Sequence, residues 1–124
     1  MTSPFKGQIA APQSEAYKNR WSRSLQMKLL LKTHLEELDL GEVVVEHPVC
    51  DDRKWKFDVA IPERGLAFEI EGGIFVQGAH SRGAHYMSDM EKYNRAALGG
   101  WRLLRFTPEQ VERGEAKQFV EEYL

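Results

Sequence analysis

The stretch WKFDVAIPERGLAFEIEGG, residues 55–73, decides the fold. It reads as two short strands joined by a turn. In the first, residues 55–61, Trp55, Phe57, Val59 and Ile61 alternate with Lys56, Asp58 and Ala60. In the second, residues 66–71, Leu66, Phe68 and Ile70 alternate with Ala67, Glu69 and Glu71. A period of two is the signature of a strand, because successive side chains point to opposite faces. Pro62 and Gly65 supply the turn chemistry of a hairpin. With the apolar faces on one core, Asp58, Glu69 and Glu71 converge on the other. Glu69 and Glu71 then lie roughly 6.5–7 Å apart along one face. Three such carboxylates repel one another, and a divalent cation relieves the repulsion; hard oxygen donors suit magnesium or manganese. The same alternation also describes a hairpin with one wet face, whose acids are simply solvated.

Working outward, 124 residues set the scale of one domain. A chain of this length buries about 65% of its unfolded surface, enough for a core without staples. The formal net charge is −2, so no global field draws the chain to nucleic acid, and any DNA contact must come from a local patch. A single cysteine, Cys50, excludes an internal disulfide and a cysteine-built zinc site. No apolar run reaches the ~18–20 residues of a membrane span. The first residues, MTSPFKGQIAAPQ, have no signal-peptide apolar core. The expectation is a cytoplasmic protein with no membrane attachment: a loose arm over residues 1–13, then one domain over 14–124.

Upstream of the hairpin, Ser14 is placed to cap a helix reaching to about Leu38, with Met27, Leu30, Leu31, Leu35 and Leu38 as its buried stripe. Gly41 ends it. Its first half is basic, with Lys18, Arg20, Arg23, Lys28 and Lys32. That is either a phosphate-contacting patch, in which Arg20, Arg23 and Lys28 are the candidates, or a solvated helix face. The run Val43-Val44-Val45 is a strand.

Downstream, residues 72–85 form a glycine-rich loop carrying His80, Arg82 and His85. It leaves directly from the paired glutamates, and its Arg and His side chains suit phosphate oxygens. Ser88-Asp89-Met90-Glu91 is a capping box that starts a second helix, with Met90, Tyr93, Ala97 and Leu98 as its apolar face and Gly99-Gly100 as its stop. Residues 101–106 form a strand. Thr107-Pro108-Glu109-Gln110 starts a final helix, amphipathic through Val111, Phe119, Val120 and Tyr123, with Gly114 weakening its middle. The order is α-β-β-β-α-β-α.

This order, together with FDVAIP, LAFEIEGG, AH and DMEKYNRAALGGWRLLRFT, resembles the PD-(D/E)XK nuclease superfamily. The likeness is to its compact phage and bacterial members of resolvase-like and very-short-patch-repair-like type, and spans about residues 43–112. It implies an α/β fold with a restriction-endonuclease-like αβββαβ core, a mixed sheet flanked by helices, and a C-terminal helix. It implies an Mg²⁺-dependent endodeoxyribonuclease, with Mn²⁺ substituting, DNA as partner and no nucleotide cofactor. By the same resemblance Asp58 and Glu69 ligate the metal, and Ile70 offers its backbone carbonyl. Glu71 stands where the superfamily has a catalytic lysine. Lys92 on the following helix is then the candidate for the missing positive charge, and His80 or His85 for the same task or for proton transfer. Glu71 is left to orient or deprotonate the attacking water. A four-way junction as substrate would require two sites, hence a homodimer. The alternative is a catalytically silent module that keeps the fold and binds DNA or a protein partner.

Overall fold

The computed structural model describes the backbone of residues 15–72 and 84–124, and the side chains of 22–72 and 87–124. The expected arm over 1–13, Ser14 and most of the glycine-rich loop lie outside these residues. The elements are α1 (Glu15–Glu36), β1 (Val44–Pro48), β2 (Lys56–Ile61), β3 (Leu66–Ile70), α2 (Ala84–Leu98), β4 (Arg102–Phe106), α3 (Pro108–Glu112) and α4 (Glu115–Tyr123). They make an α/β fold with a four-stranded mixed sheet, order β1-β2-β3-β4. The pairs β1–β2 and β2–β3 are antiparallel; β3–β4 is parallel. Among the described residues, no helix is long and apolar enough to cross a membrane.

The β2–β3 hairpin turns through one 3-10 turn, Pro62–Arg64, closed by Gly65 N–H donating to the Pro62 carbonyl at 3.0 Å. Gly65 has φ 61, where a Cβ would be strained, and that Cβ would also stand 3.3 Å from the Gly100 carbonyl. The register pairs Ile61 with Leu66 and Val59 with Phe68, so both residues of each pair share a face.

The sheet is buried on both sides. On one face Val59, Ile61, Leu66 and Phe68 pack with Leu31 and Leu35 of α1, Val111 of α3 and Val120 of α4. The stripe expected for α1 is the one it buries, with Leu30 and Leu38 at the margin. On the other face Ala60 and Ala67 pack with Phe57, Val49 and Ala96 of α2, under Trp55, Trp101 and Leu103. Small residues in β2 and β3 let α2 lie close to the sheet.

Several local expectations are corrected. Phe57 and Trp55 do not share a face with Val59 and Ile61; they belong to the opposite cluster. The alternation breaks at Asp58, which faces Glu46 of β1, a non-glycine residue held at φ 58. An irregularity of that kind re-aims neighbouring side chains. Helix α2 begins at Ala84, a turn before the Ser88 box, and the Ser88 hydroxyl accepts from the Trp55 indole N–H at 3.2 Å. Its inward side is Ser88, Lys92, Tyr93 and Ala96, while Met90 and Leu98 are exposed. Helix α1 stops at Glu36, with Asp39 at φ 55, before Gly41 is reached. The final helix is two helices. Thr107 makes the expected capping box with Gln110, but Gly114, at φ 77, turns the chain between α3 and α4. That turn buries Val111, Ala116 and Val120 and leaves Phe119 and Tyr123 exposed.

The break at Gly114 yields a test. A Cβ there meets nothing within 4 Å, so Gly114→Ala carries only the backbone cost of a left-handed alanine. Chemical denaturation should show a loss of about 1–2 kcal/mol with an unchanged denaturant slope. A gain in stability would mean that a continuous helix is the better structure and that the break is not imposed by packing.

Candidate active site

Beyond the Val59–Phe68 pair the hairpin parts, and side chains replace the backbone ladder. The Asp58 N–H donates to Glu69 Oε2 at 3.0 Å, and the Ile70 N–H donates to Asp58 Oδ2 at 2.7 Å. Each acid therefore satisfies a backbone donor on the opposite strand. The two carboxylates expected to act together are joined by these reciprocal bonds.

Each also receives a lysine, from opposite sides of the sheet. Lys92 of α2 donates to Glu69 Oε1 at 2.9 Å, and the Tyr93 hydroxyl stands 3.4 Å from the same oxygen. Lys28 of α1 lies 3.6 Å from Asp58 Oδ1 and 3.2 Å from Glu46 Oε2. Glu69 is the one buried charged residue of the described core, 8% exposed. Burial holds its carboxyl above the usual range, the Asp58 charge adds to this, and Lys92 opposes it. Burial, followed by the Glu69 charge, pushes the Tyr93 hydroxyl upward as well.

Glu71, on the α2 side of β3, turns away from this pair toward β4. Its Oε2 is 3.2 Å from Arg105 Nε. The contact is not aligned as a hydrogen bond, and that buried oxygen has no hydrogen-bond partner among the described residues. The Arg105 guanidinium carbon lies over Tyr93, 4.1 Å from the ring centre. The Glu71 N–H continues the parallel ladder to the Phe106 carbonyl at 2.8 Å.

The structure thus brings Asp58, Glu69, Ile70 and Lys92 together, with Glu71 alongside. It does not gather three carboxylates into one shell: among the described residues, no group of three His, Cys, Asp or Glu side chains is arranged to hold a metal ion. What Ile70 presents to Asp58 is its N–H. Of the basic patch, Lys28 belongs to this site, half-buried between Glu46 and Asp58. Arg23 instead clasps Glu112 of α3 at 3.1 Å. His80 and Arg82 lie outside the described residues, and so do the side chains of Arg20 and His85.

Sequence reasoning missed Tyr93, Arg105 and Glu46. Tyr93 fits the apolar face of α2 by its spacing, and nothing local marks its hydroxyl as a partner of Glu69. Arg105 is two residues beyond Leu103 and so shares its face, but only the register Glu69–Arg105 sets it beside the acids. Glu46 carries no signal in the sequence for its left-handed φ.

No family model, curated protein or solved structure matches this chain.

The Lys92–Glu69 pair sets an expectation for pH. A carboxyl whose folded value is raised binds its proton more tightly when folded, so its contribution to stability falls as pH rises through that raised value. Lys92→Met removes the group that opposes the rise and leaves a buried carboxylate unpaired. The variant should be about 3–5 kcal/mol less stable at neutral pH. The deficit should shrink on acidification toward the usual carboxylate range. Thermal melts across pH check this, and a deficit independent of pH would show that the pair is not its source.

Proposed function

We propose that this chain is a metal-dependent DNA endonuclease of the PD-(D/E)XK type, built on a restriction-endonuclease-like αβββαβ core. The observation that carries the reading is the joined pair Asp58 and Glu69 at the parting of the central hairpin, with Lys92 of the next helix 2.9 Å from Glu69. An aspartate on one strand, a glutamate on its neighbour and a lysine over them is a donor set suited to phosphodiester hydrolysis.

The residues fit a divalent cation by their chemistry. The donors are hard oxygens, Glu69 has a charge that burial penalises, and Glu71 has a buried oxygen without a hydrogen-bond partner among the described residues. Asp58, Glu69 and the Ile70 carbonyl would hold Mg²⁺, or Mn²⁺ in its place. When bound, the cation supplies a Lewis acid for the phosphate and lowers the pKa of a water. The remaining work falls to the chain. Lys92 balances charge developing on the phosphate oxygens. Glu71 orients the attacking water and accepts its proton. The substrate is DNA, with branched, mismatched or nicked forms favoured.

One observation favours a second reading, a silent module of the same fold that binds DNA or a protein. Lys28 and Lys92 already neutralise Asp58 and Glu69, so the acids have structural partners without a metal.

Cleavage separates the two. Supercoiled plasmid, single strand, splayed arm and four-way junction are incubated with Mg²⁺, Mn²⁺ or EDTA. Asp58→Asn is the suitable control, because alanine would orphan the Ile70 N–H and cost about 1–3 kcal/mol. The nuclease cuts with metal, and Asp58→Asn loses at least about a hundredfold in rate while still folding. Lys92→Ala, assayed at a temperature where it is still folded, slows cleavage far more than it weakens DNA binding. Binding without any cutting would favour the silent module.

A further inference from the structure

We infer that Arg105 is a phosphate-gripping residue of the same site, aimed by Glu71 and Tyr93. The inference rests on the nuclease reading and adds a substrate contact to it.

Arg105 is on β4, in parallel register with Glu69, so the two side chains rise from the same face of the sheet. That face carries α2 with Lys92 and Tyr93. The guanidinium is fixed in two directions. Its central carbon lies over the Tyr93 ring at 4.1 Å, and its Nε is drawn to Glu71 Oε2 at 3.2 Å. Among the described residues, no hydrogen bond engages its two terminal nitrogens, and the side chain is 48% exposed. A guanidinium held at Nε and stacked on a ring keeps its outer edge for a ligand. That edge is a planar two-donor fork, which matches two oxygens of a phosphate. Fixing it beforehand also removes most of the rotamer entropy that a free arginine loses on binding.

Glu71 thereby gains a second role beside the one proposed for it at the attacking water. An acid where the superfamily places a lysine is, at this site, the anchor of a cation supplied by the neighbouring strand. The positive charge reaches the phosphate from β4 and α2 in place of β3. The chemistry recognised is a phosphodiester of DNA, the substrate already proposed.

The test is the salt dependence of binding, measured without metal so that chemistry does not intervene. A fluorescent nicked duplex is titrated in EDTA over a range of salt concentration, with wild type, Arg105→Gln, Arg105→Lys, Tyr93→Phe and Tyr93→Leu. Loss of one phosphate contact lowers the slope of log K against log salt by about 0.9. Arg105→Gln should show that drop, with cleavage in Mg²⁺ slowed at least about tenfold. Arg105→Lys should restore the slope, since the charge is kept, while cleavage stays below wild type because the fork is lost. Tyr93→Phe keeps the ring and, although it gives up the hydroxyl contact to Glu69, should keep the wild-type salt slope; Tyr93→Leu should move toward Arg105→Gln. A folded Arg105→Gln with the wild-type slope overturns the inference and leaves the nuclease reading intact, provided that wild type binds and cuts. If wild type neither binds nor cuts DNA, the nuclease reading falls and the inference falls with it.

Discussion

A buried carboxylate is the constraint that the rest of the structure satisfies. Glu69 is in the middle of a sheet covered on both faces, where an uncompensated charge costs several kcal/mol. Three groups meet that demand: the Asp58 N–H, the Lys92 ammonium and the Tyr93 hydroxyl. Each dictates something larger. To present its N–H to a side chain, β2 must leave the ladder at Asp58, so the hairpin opens there. To bring Lys92 in, α2 must turn Ser88, Lys92 and Ala96 toward the sheet and leave Met90 and Leu98 outside.

The opening at Asp58 also explains why two helices on opposite faces serve one place. Helix α1 brings Lys28 to Asp58 from the side of Leu31 and Leu35, and α2 brings Lys92 to Glu69 from the side of Ala96. In a regular hairpin the facing residues 58 and 69 would point to one side and repel. Here one acid is aimed toward each layer, and the backbone N–H groups between them carry part of the compensation. The parallel strand β4 then adds a third base, Arg105, in the row of Glu69 and Glu71.

The sequence made the hairpin, the element order and the α1 stripe readable, because burial on one face imposes a period that composition cannot hide. It also singled out Asp58, Glu69 and Lys92, which the structure joins. The failures share a cause: each depends on a partner distant in sequence. Ser88 followed by Glu91 satisfies the local rule for a helix start, yet the Trp55 indole claims the hydroxyl and the helix begins a turn earlier. Phe57 obeys the local alternation, yet Glu46 across the ladder disturbs it. Gly114 was legible as a weak point, but whether it bends or breaks the helix depends on how Val111 and Val120 reach the same core. Arg105 looked like the polar residue of an alternating strand until the parallel register set it beside Glu69.

The pattern of charges bears on whether the site acts or only holds the fold. Asp58 is matched by Lys28, Glu69 by Lys92 and Glu71 by Arg105. Fold stability gives little reason for the buried match of Glu69 and Lys92, because replacing a buried ion pair by well-packed apolar residues is often neutral or stabilising. Nor would solubility ask for it, since Glu69 and Lys92 are almost out of water. What the arrangement does achieve is to hold four acids, Glu46, Asp58, Glu69 and Glu71, close to the bases Lys28, Lys56, Lys92 and Arg105, leaving little net field there. A chain of net charge −2 has no general attraction for a polyanion. A balanced cluster can bind one only where a base is steered outward. Arg105, half exposed and set over Tyr93, is the base so placed, on the α2 face that Lys92 shares and Lys28 does not.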